Sequence, residues 1–166
     1  PKGIEGVYRK SFLWPNDNQL KIMGFKNLAD YMKVYKPDEQ GYRCERTTLS
    51  NGDGTKVIQI GELRIGAIIC ADGSQEKAWD TFRKEKPDII FWQNNRDSAF
   101  RDGDVQKYSK DLCIPILASN RCGYSWKYYQ LGGSCICSDK GEVLAHANEK
   151  GEEEIVYSTL GQLNAR

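Results

Sequence analysis

The sequence predicts an α/β fold with mixed strands, on three observations. The run IGAIICADG, Ile65 to Gly73, ends a stretch in which five of the six residues before Cys70 are apolar or Gly. An apolar run of this length, closed by turn residues, reads as a buried strand ending in a turn. Further short apolar runs alternate along the chain with segments whose apolar residues recur at helical spacing. Two of the runs are joined by a tight Gly61-Glu62 turn, which reads as a hairpin.

Each element follows in order. Tyr8 to Leu13, within GVYRKSFLWPND, is a short alternating strand that carries Lys10 beside an apolar, aromatic stretch. Lys21 to Tyr35 contains Met23, Phe25, Leu28, Tyr31 and Met32 at partly helical spacing and reads as a surface insertion that shapes a pocket. Val57 to Ile60 and Leu63 to Cys70 are the strands of the hairpin. Ser74 can cap a helix, running to Arg83, whose Ala78, Trp79 and Phe82 form one face. Pro87 ends that helical region, and Ile89 to Trp92 is a strand. Asp104 to Leu112 is a second helix, with Val105, Tyr108 and Leu112 at helical spacing. Ile116 to Ser119, Ser134 to Cys137, Val143 to Ala145 and Ile155 to Ser158 complete the strands. There is no internal repeat. Gly52 to Thr55 and Lys150 to Glu154 are polar turns, so residues 1–166 read as one domain.

Composition narrows the function classes. Lys and Arg number 24 against 23 Asp and Glu, a net charge of +1. That balance gives no electrostatic case for nucleic acid or an acidic surface. No apolar stretch approaches a bilayer span, and the first residues carry no signal-peptide pattern. The six cysteines, Cys44, Cys70, Cys113, Cys122, Cys135 and Cys137, do not form a disulfide scaffold pattern and suit a reduced, cytoplasmic compartment. Without a C-x-x-C pair, and with His146 as the single histidine, no metal or other cofactor is expected. Cys135 and Cys137 share one face of a strand and read as core, and His146 reads as surface.

Cys70 carries the functional question. Its predicted place is the carboxyl end of a strand, where open α/β sheets keep their chemistry. A helix beginning just beyond it favours the thiolate. A buried, inert cysteine is the other reading of the same residue, since free Cys is among the most buried types.

Three segments together resemble the nitrilase, or carbon–nitrogen hydrolase, superfamily. GVYRKSFLWPND offers Lys10 in a context like the family's YRKxHL, with Ser11 and Phe12 departing from it. Glu45 precedes the turn at Gly52, and Gly66, Cys70 and Asp72 fit the family's G-x-x-x-C-x-D strand end. PDIIFWQNNR, ILASNRCG and GGSCICSDKGEVLAHA resemble the strands and loops that follow, so the likeness covers nearly the whole chain.

The resemblance implies an αββα sandwich with mixed sheets, a homo-oligomer, and hydrolysis of an amide, carbamoyl amine or nitrile. It implies a nucleophilic Cys70, with Lys10 and the Ala71 backbone N–H stabilising an oxyanion and Glu45 positioning Lys10 or water. Asn94, Asn95, Arg96 and Asn120 are implied as pocket residues, with loop hydrogen bonding as their other reading. For Glu45 the other reading is a solvated loop charge, and Asp72 reads as a turn residue. In the family a further glutamate, the general base, precedes the lysine by a long segment. This chain begins nine residues before Lys10, and Glu5 is too near to replace that base, so the expectation is a partial domain lacking its N-terminal segment. A nitrilase-like binding or scaffold protein without catalysis, and an unrelated α/β protein with Cys70 in its core, are the alternatives.

Overall fold

The computed structural model describes residues 3–36, 44–96, 102–125 and 128–161. Its centre is a six-stranded mixed sheet in the order β1-β2-β3-β4-β7-β8. The strands are β1 Lys56–Ile60, β2 Leu63–Ile69, β3 Ile89–Asn94, β4 Ile116–Asn120, β7 Cys135–Cys137 and β8 Val143–His146. A separate hairpin joins β5 Cys122–Ser125 to β6 Tyr128–Leu131. The helices are α1 Asp17–Ile22, α2 Leu28–Tyr35, α3 Glu45–Thr48, α4 Glu76–Glu85 and α5 Asp102–Leu112. This is the mixed α/β architecture that the sequence predicts.

Strands β2, β3 and β4 are parallel, with α4 and α5 as the connections between them. Parallel neighbours need such crossovers, whereas β1 and β2 pair antiparallel through the turn at Gly61, whose φ of +60° suits a residue without Cβ. Registered pairs show how one face becomes core. Ile68 lies opposite Trp92, Trp92 opposite Ala118, and Ala118 opposite Cys135. All four join Trp79 and Phe82 of α4 and Val105 and Leu112 of α5 in one buried cluster. Cys135 and Cys137 therefore fill the core, as their spacing predicts, and His146 is exposed. The opposite face, with Phe91, Gln93, Leu117, Ser119 and Ile136, lines a cavity of about 310 Å³.

Three expectations are corrected. Tyr8 to Leu13 is not a strand; the backbone N–H groups of Ser11 and Phe12 donate to the Asp72 carboxylate in place of a neighbouring strand. Ser74 is not the cap of α4. Gln75 holds that position, and the Ser74 hydroxyl donates to the Ala71 carbonyl inside a 3-10 turn over Cys70–Ser74. Ile155 to Ser158 runs without strand pairing, with Ile155 and Tyr157 exposed and Val156 against the cavity. The 21–35 segment is also broken: α1 ends at Ile22, and α2 starts after its own Asn27 cap.

Candidate active site

The turn after β2 is built by side chains from three directions. Cys70 has φ +48°, a left-handed conformation that costs a residue with a Cβ roughly 1–2 kcal/mol. Surrounding bonds over-determine it. Asp72 Oδ2 accepts the Ile69 N–H at 2.9 Å. The Trp92 indole N–H donates to the Cys70 carbonyl at 3.2 Å, and that of Trp79 to the Gly73 carbonyl at 2.9 Å. Gly73 is required because Trp92 lies against it; a Cβ there would sit 2.1 Å from the indole ring. Cys70 remains partly exposed, and Ala71 is buried. The helix α4 begins only at Glu76, so a direct helix-dipole effect on the thiol is weaker than the sequence implies, because that field fades beyond the first turn.

The segment carrying Lys10 is tied to this turn by a buried carboxylate and, further along, by the Asn16 and Gln19 side-chain amides, which donate to the Ser74 hydroxyl at 3.2 and 3.3 Å. Asp72 is fully buried. Its Oδ1 accepts the N–H groups of Ser11 at 3.1 Å and Phe12 at 2.7 Å. Its Oδ2 also accepts the Tyr8 hydroxyl at 2.6 Å. Burial, and next the hydrogen bond to Asp72, push the Tyr8 phenol well above its ordinary range. On the other side, Gly52 N–H donates to the Lys10 carbonyl at 2.8 Å, and Gly54 N–H to the Ser11 hydroxyl at 3.1 Å. Gly52 approaches so closely that a Cβ would lie 2.2 Å from the Arg9 carbonyl oxygen.

Lys10 and Glu45, far apart in sequence, meet here. The Lys10 Nζ lies 2.5 Å from Glu45 Oε2, and its side chain is only 10% exposed. The same oxygen accepts the Trp14 N–H at 2.7 Å. Glu45 opens the short helix α3 and is not a freely solvated loop charge. Its neighbour Arg46 donates to the Pro15 carbonyl and pairs with Asp17 at 2.8 Å, so α3 grips the chain between Trp14 and Asp17. A charge-assisted contact this short holds the ammonium in one place.

The remaining predicted residues sit at the carboxyl ends of β3 and β4, on the side of the sheet where β2 delivers Cys70. Asn120 Oδ1 accepts the Arg96 N–H at 2.9 Å, and its Nδ2 donates to the Gly132 carbonyl at 2.8 Å. The Arg96 guanidinium is 3.6 Å from the Asp104 carboxylate and 6.0 Å from the centre of the Trp92 ring. Asn94 Nδ2 donates to its own strand at the Trp92 carbonyl, and Asn95 is exposed. Arg96 and Asn120 are thus brought together as a loop junction, while Asn94 and Asn95 are not drawn into it.

Other carboxylates are less well placed. Glu5 is exposed, and Glu62 sits in the hairpin turn at the opposite end of β2, about 26 Å from Cys70 at the rise of an extended strand. Glu39 lies outside the described residues. Among the described residues no group of His, Cys, Asp and Glu could hold a metal ion, and no helix is long and apolar enough to cross a membrane. The sequence reading passed over Tyr8, Trp79 and Trp92 as site residues. Asp72 offered a signal, an acid two positions after the thiol, but its partners lie some sixty residues away.

The sequence model of the carbon–nitrogen hydrolase family matches residues 1–163. No curated protein sequence matches the chain. Solved structures with a similar fold include a carbon–nitrogen hydrolase from Helicobacter pylori, at 19% identity and a TM-score of 0.62, covering 90% of this chain and 50% of that one. A Saccharomyces cerevisiae member of branch 10 of the nitrilase superfamily has 17% identity and a TM-score of 0.56, covering 65% of this chain and 42% of that one. A variant of an amidase from Nesterenkonia sp. AN1 carries the acetamide moiety of fluoroacetamide covalently added at its active-site cysteine. It has 13% identity and a TM-score of 0.58, covering 66% of this chain and 43% of that one. The chain spans half or less of the length of each of these proteins.

Proposed function

The chain belongs to the carbon–nitrogen hydrolase family, and on that premise we propose that it hydrolyses a non-peptide carbon–nitrogen bond with Cys70 as nucleophile. The observation that carries this reading is the half-buried Lys10–Glu45 pair, held against the Cys70 turn through Asp72. Burying a lysine costs several kcal/mol unless its partners offset that cost. Among the described residues a single carboxylate oxygen, shared with the Trp14 N–H, is a sparse set of partners for an ammonium with three donors. A substrate oxygen supplies a further one.

Amides and nitriles are poor electrophiles, so a covalent route divides one hard step into two. The Cys70 thiolate adds to the carbonyl carbon, and the oxygen takes up negative charge. Lys10 Nζ and the Ala71 N–H stabilise that oxyanion, each such donor being worth roughly 3 kcal/mol of barrier. Collapse breaks the C–N bond, the amine leaves with a proton, and a thioester remains. Water then attacks the thioester, releasing the acid and restoring the thiol. Glu45 positions Lys10 or that water. The family resemblance gives the proton-transfer role to a glutamate of an earlier segment, and we assign it to none of the described carboxylates. A small amide, carbamoyl amine or nitrile as substrate and self-association of the protein belong to the same proposal.

The test is Cys70→Ala in the full-length protein, assayed for ammonia or amine release against simple amides and nitriles. Turnover and the covalent adduct seen by intact-mass spectrometry both vanish, whereas Cys135→Ala keeps turnover. Activity unchanged by Cys70→Ala overturns the proposal. An adduct on Cys70 that forms and never turns over points to a binding protein instead.

A further inference from the structure

Asp72 accepts more hydrogen bonds than a turn needs. One bond, from Ile69 N–H to Oδ2, closes the backbone around Cys70. The other three partners, Tyr8 Oη, Ser11 N and Phe12 N, all come from the two sides of Lys10. The carboxylate is fully buried, and among the described residues no lysine or arginine pairs with it. A buried carboxylate without a cation is costly, and N–H and O–H donors that offset the cost lose their effect if they move. The four donors are therefore held to one geometry. Tyr8 is informative because phenylalanine would fill the same space; its hydroxyl adds only the 2.6 Å bond to Oδ2, with a longer contact to the Ser11 hydroxyl at 3.4 Å.

We infer that Tyr8 and Asp72 are positioning residues that set the Lys10 ammonium against the Cys70 thiol. The inference rests on the reading of Cys70 and Lys10 above and adds to it the device that fixes their spacing. Asp72, fully buried, is out of a substrate's reach. Asp72 acts through the backbone on both sides, at Ile69 beside Cys70 and at Ser11 and Phe12 beside Lys10. Tyr8 acts by holding the Oδ2 side of the carboxylate in register. The excess phenol pKa fits a hydroxyl that stays protonated and donates throughout the ordinary pH range.

The experiment measures the iodoacetamide alkylation rate of Cys70 in the full-length protein by peptide mass spectrometry. The exposed Cys113 serves as internal standard. Tyr8→Phe is the main variant, because Asp72→Asn places an amide N–H against the Ile69 N–H and can prevent folding. The two readings differ in sign. A structural loss opens the protein and leaves Cys70 alkylation equal or faster relative to Cys113. Lost positioning removes the cation from the thiolate and slows it by about fivefold, the factor carried by one net hydrogen bond. Tyr8→Phe slowing Cys70 relative to Cys113 supports the inference, with or without the fall in melting temperature that the lost hydrogen bond brings. An equal or faster rate overturns it. Lys10→Met separates the levels: if it slows Cys70 while Tyr8→Phe does not, the clasp alone fails. If neither slows it, the pairing of Lys10 with Cys70 fails, and the inference with it.

Discussion

Gly73→Ala should be among the most damaging single-methyl additions to this protein. The added Cβ would lie 2.1 Å from Cζ2 and 2.6 Å from Cε2 of Trp92, whereas ordinary contacts begin near 3.4 Å. The ring must retreat by more than an ångström, and it has nowhere to go. Trp92 is 3% exposed, edge-on to Trp79 at 5.3 Å and to Tyr108 at 6.4 Å. Overpacking of this kind costs typically about 1–3 kcal/mol. Withdrawing the indole also breaks its hydrogen bond to the Cys70 carbonyl, about 1 kcal/mol more. A total of about 3 kcal/mol lowers the melting temperature by roughly 10 °C in a domain of this size. Differential scanning calorimetry measures the shift, and Gly103→Ala in the first turn of α5, where a Cβ meets nothing within 4 Å, is the matched control. Gly103→Ala should be neutral or slightly stabilising. A Gly73→Ala protein melting within about 2 °C of the parent would show that the indole is not a fixed wall, and the account of the Cys70 turn would be wrong.

Three further outcomes follow from the same geometry. Cys70→Gly relieves the cost of φ +48° against a loss to unfolded-chain entropy, so it should raise stability by up to about 1 kcal/mol while ending any turnover; a lower denaturation midpoint would contradict this. Lys10→Arg should abolish turnover even if the protein folds, because a planar guanidinium cannot take the place of a compact ammonium 2.5 Å from Glu45; an active Lys10→Arg enzyme argues against a closed site. Burial, followed by the Glu76 charge, raises the Tyr108 phenol from 10.0 to about 12, so its neutral form is the one the fold prefers. That stabilisation is complete below pH 10 and is lost as pH rises through about 12. Tyr108→Phe should flatten the fall in stability across that window, as followed by chemical denaturation, and an unchanged slope would exclude the effect.

What the sequence made legible is what periodicity encodes. The α4 face of Ala78, Trp79 and Phe82 and the same-face cysteines of β7 repeat at 3.6 and 2 residues, and both are found in the core, whereas the apolar run before Cys70 is only half buried and gives the core Ile68 alone. The failures occur where side chains replaced the backbone pattern. Residues 8–13 alternate like a strand, yet Asp72 takes their N–H groups, so alternation exists without a ladder. Ser74 has the chemistry of a cap and spends its hydroxyl on the preceding turn. The β5–β6 hairpin went unread because CGYSWKYYQL carries no continuous apolar run.

The site divides along the same line. Cys70, Lys10 and Glu45 were named because their residue types and order resemble a known pattern, and the contact between Lys10 and Glu45 across 35 positions is present. Their means of support was not legible, because it consists of single hydrogen bonds spanning about 60 residues, such as Ser11 to Asp72 and Phe12 to Asp72. Such bonds leave no periodic trace and need only one acid at one position. They also explain why this site can sit on a chain segment with no regular secondary structure. A strand would fix Lys10 through repeated ladder bonds; here one buried carboxylate and the close approach of Gly52 do the same with fewer contacts, while Gly73 lets Trp92 pack against the Cys70 turn. The consequence is concentration. In a ladder the loss of one bond is shared among neighbours, whereas Asp72 carries the buried bonds that join the two sides of the site, beside the exposed contacts of Asn16 and Gln19 to Ser74. Substitutions at Tyr8, Gly52, Asp72 and Gly73 should therefore disturb Cys70 reactivity more than larger changes on the exposed edge at Val143 or Leu144.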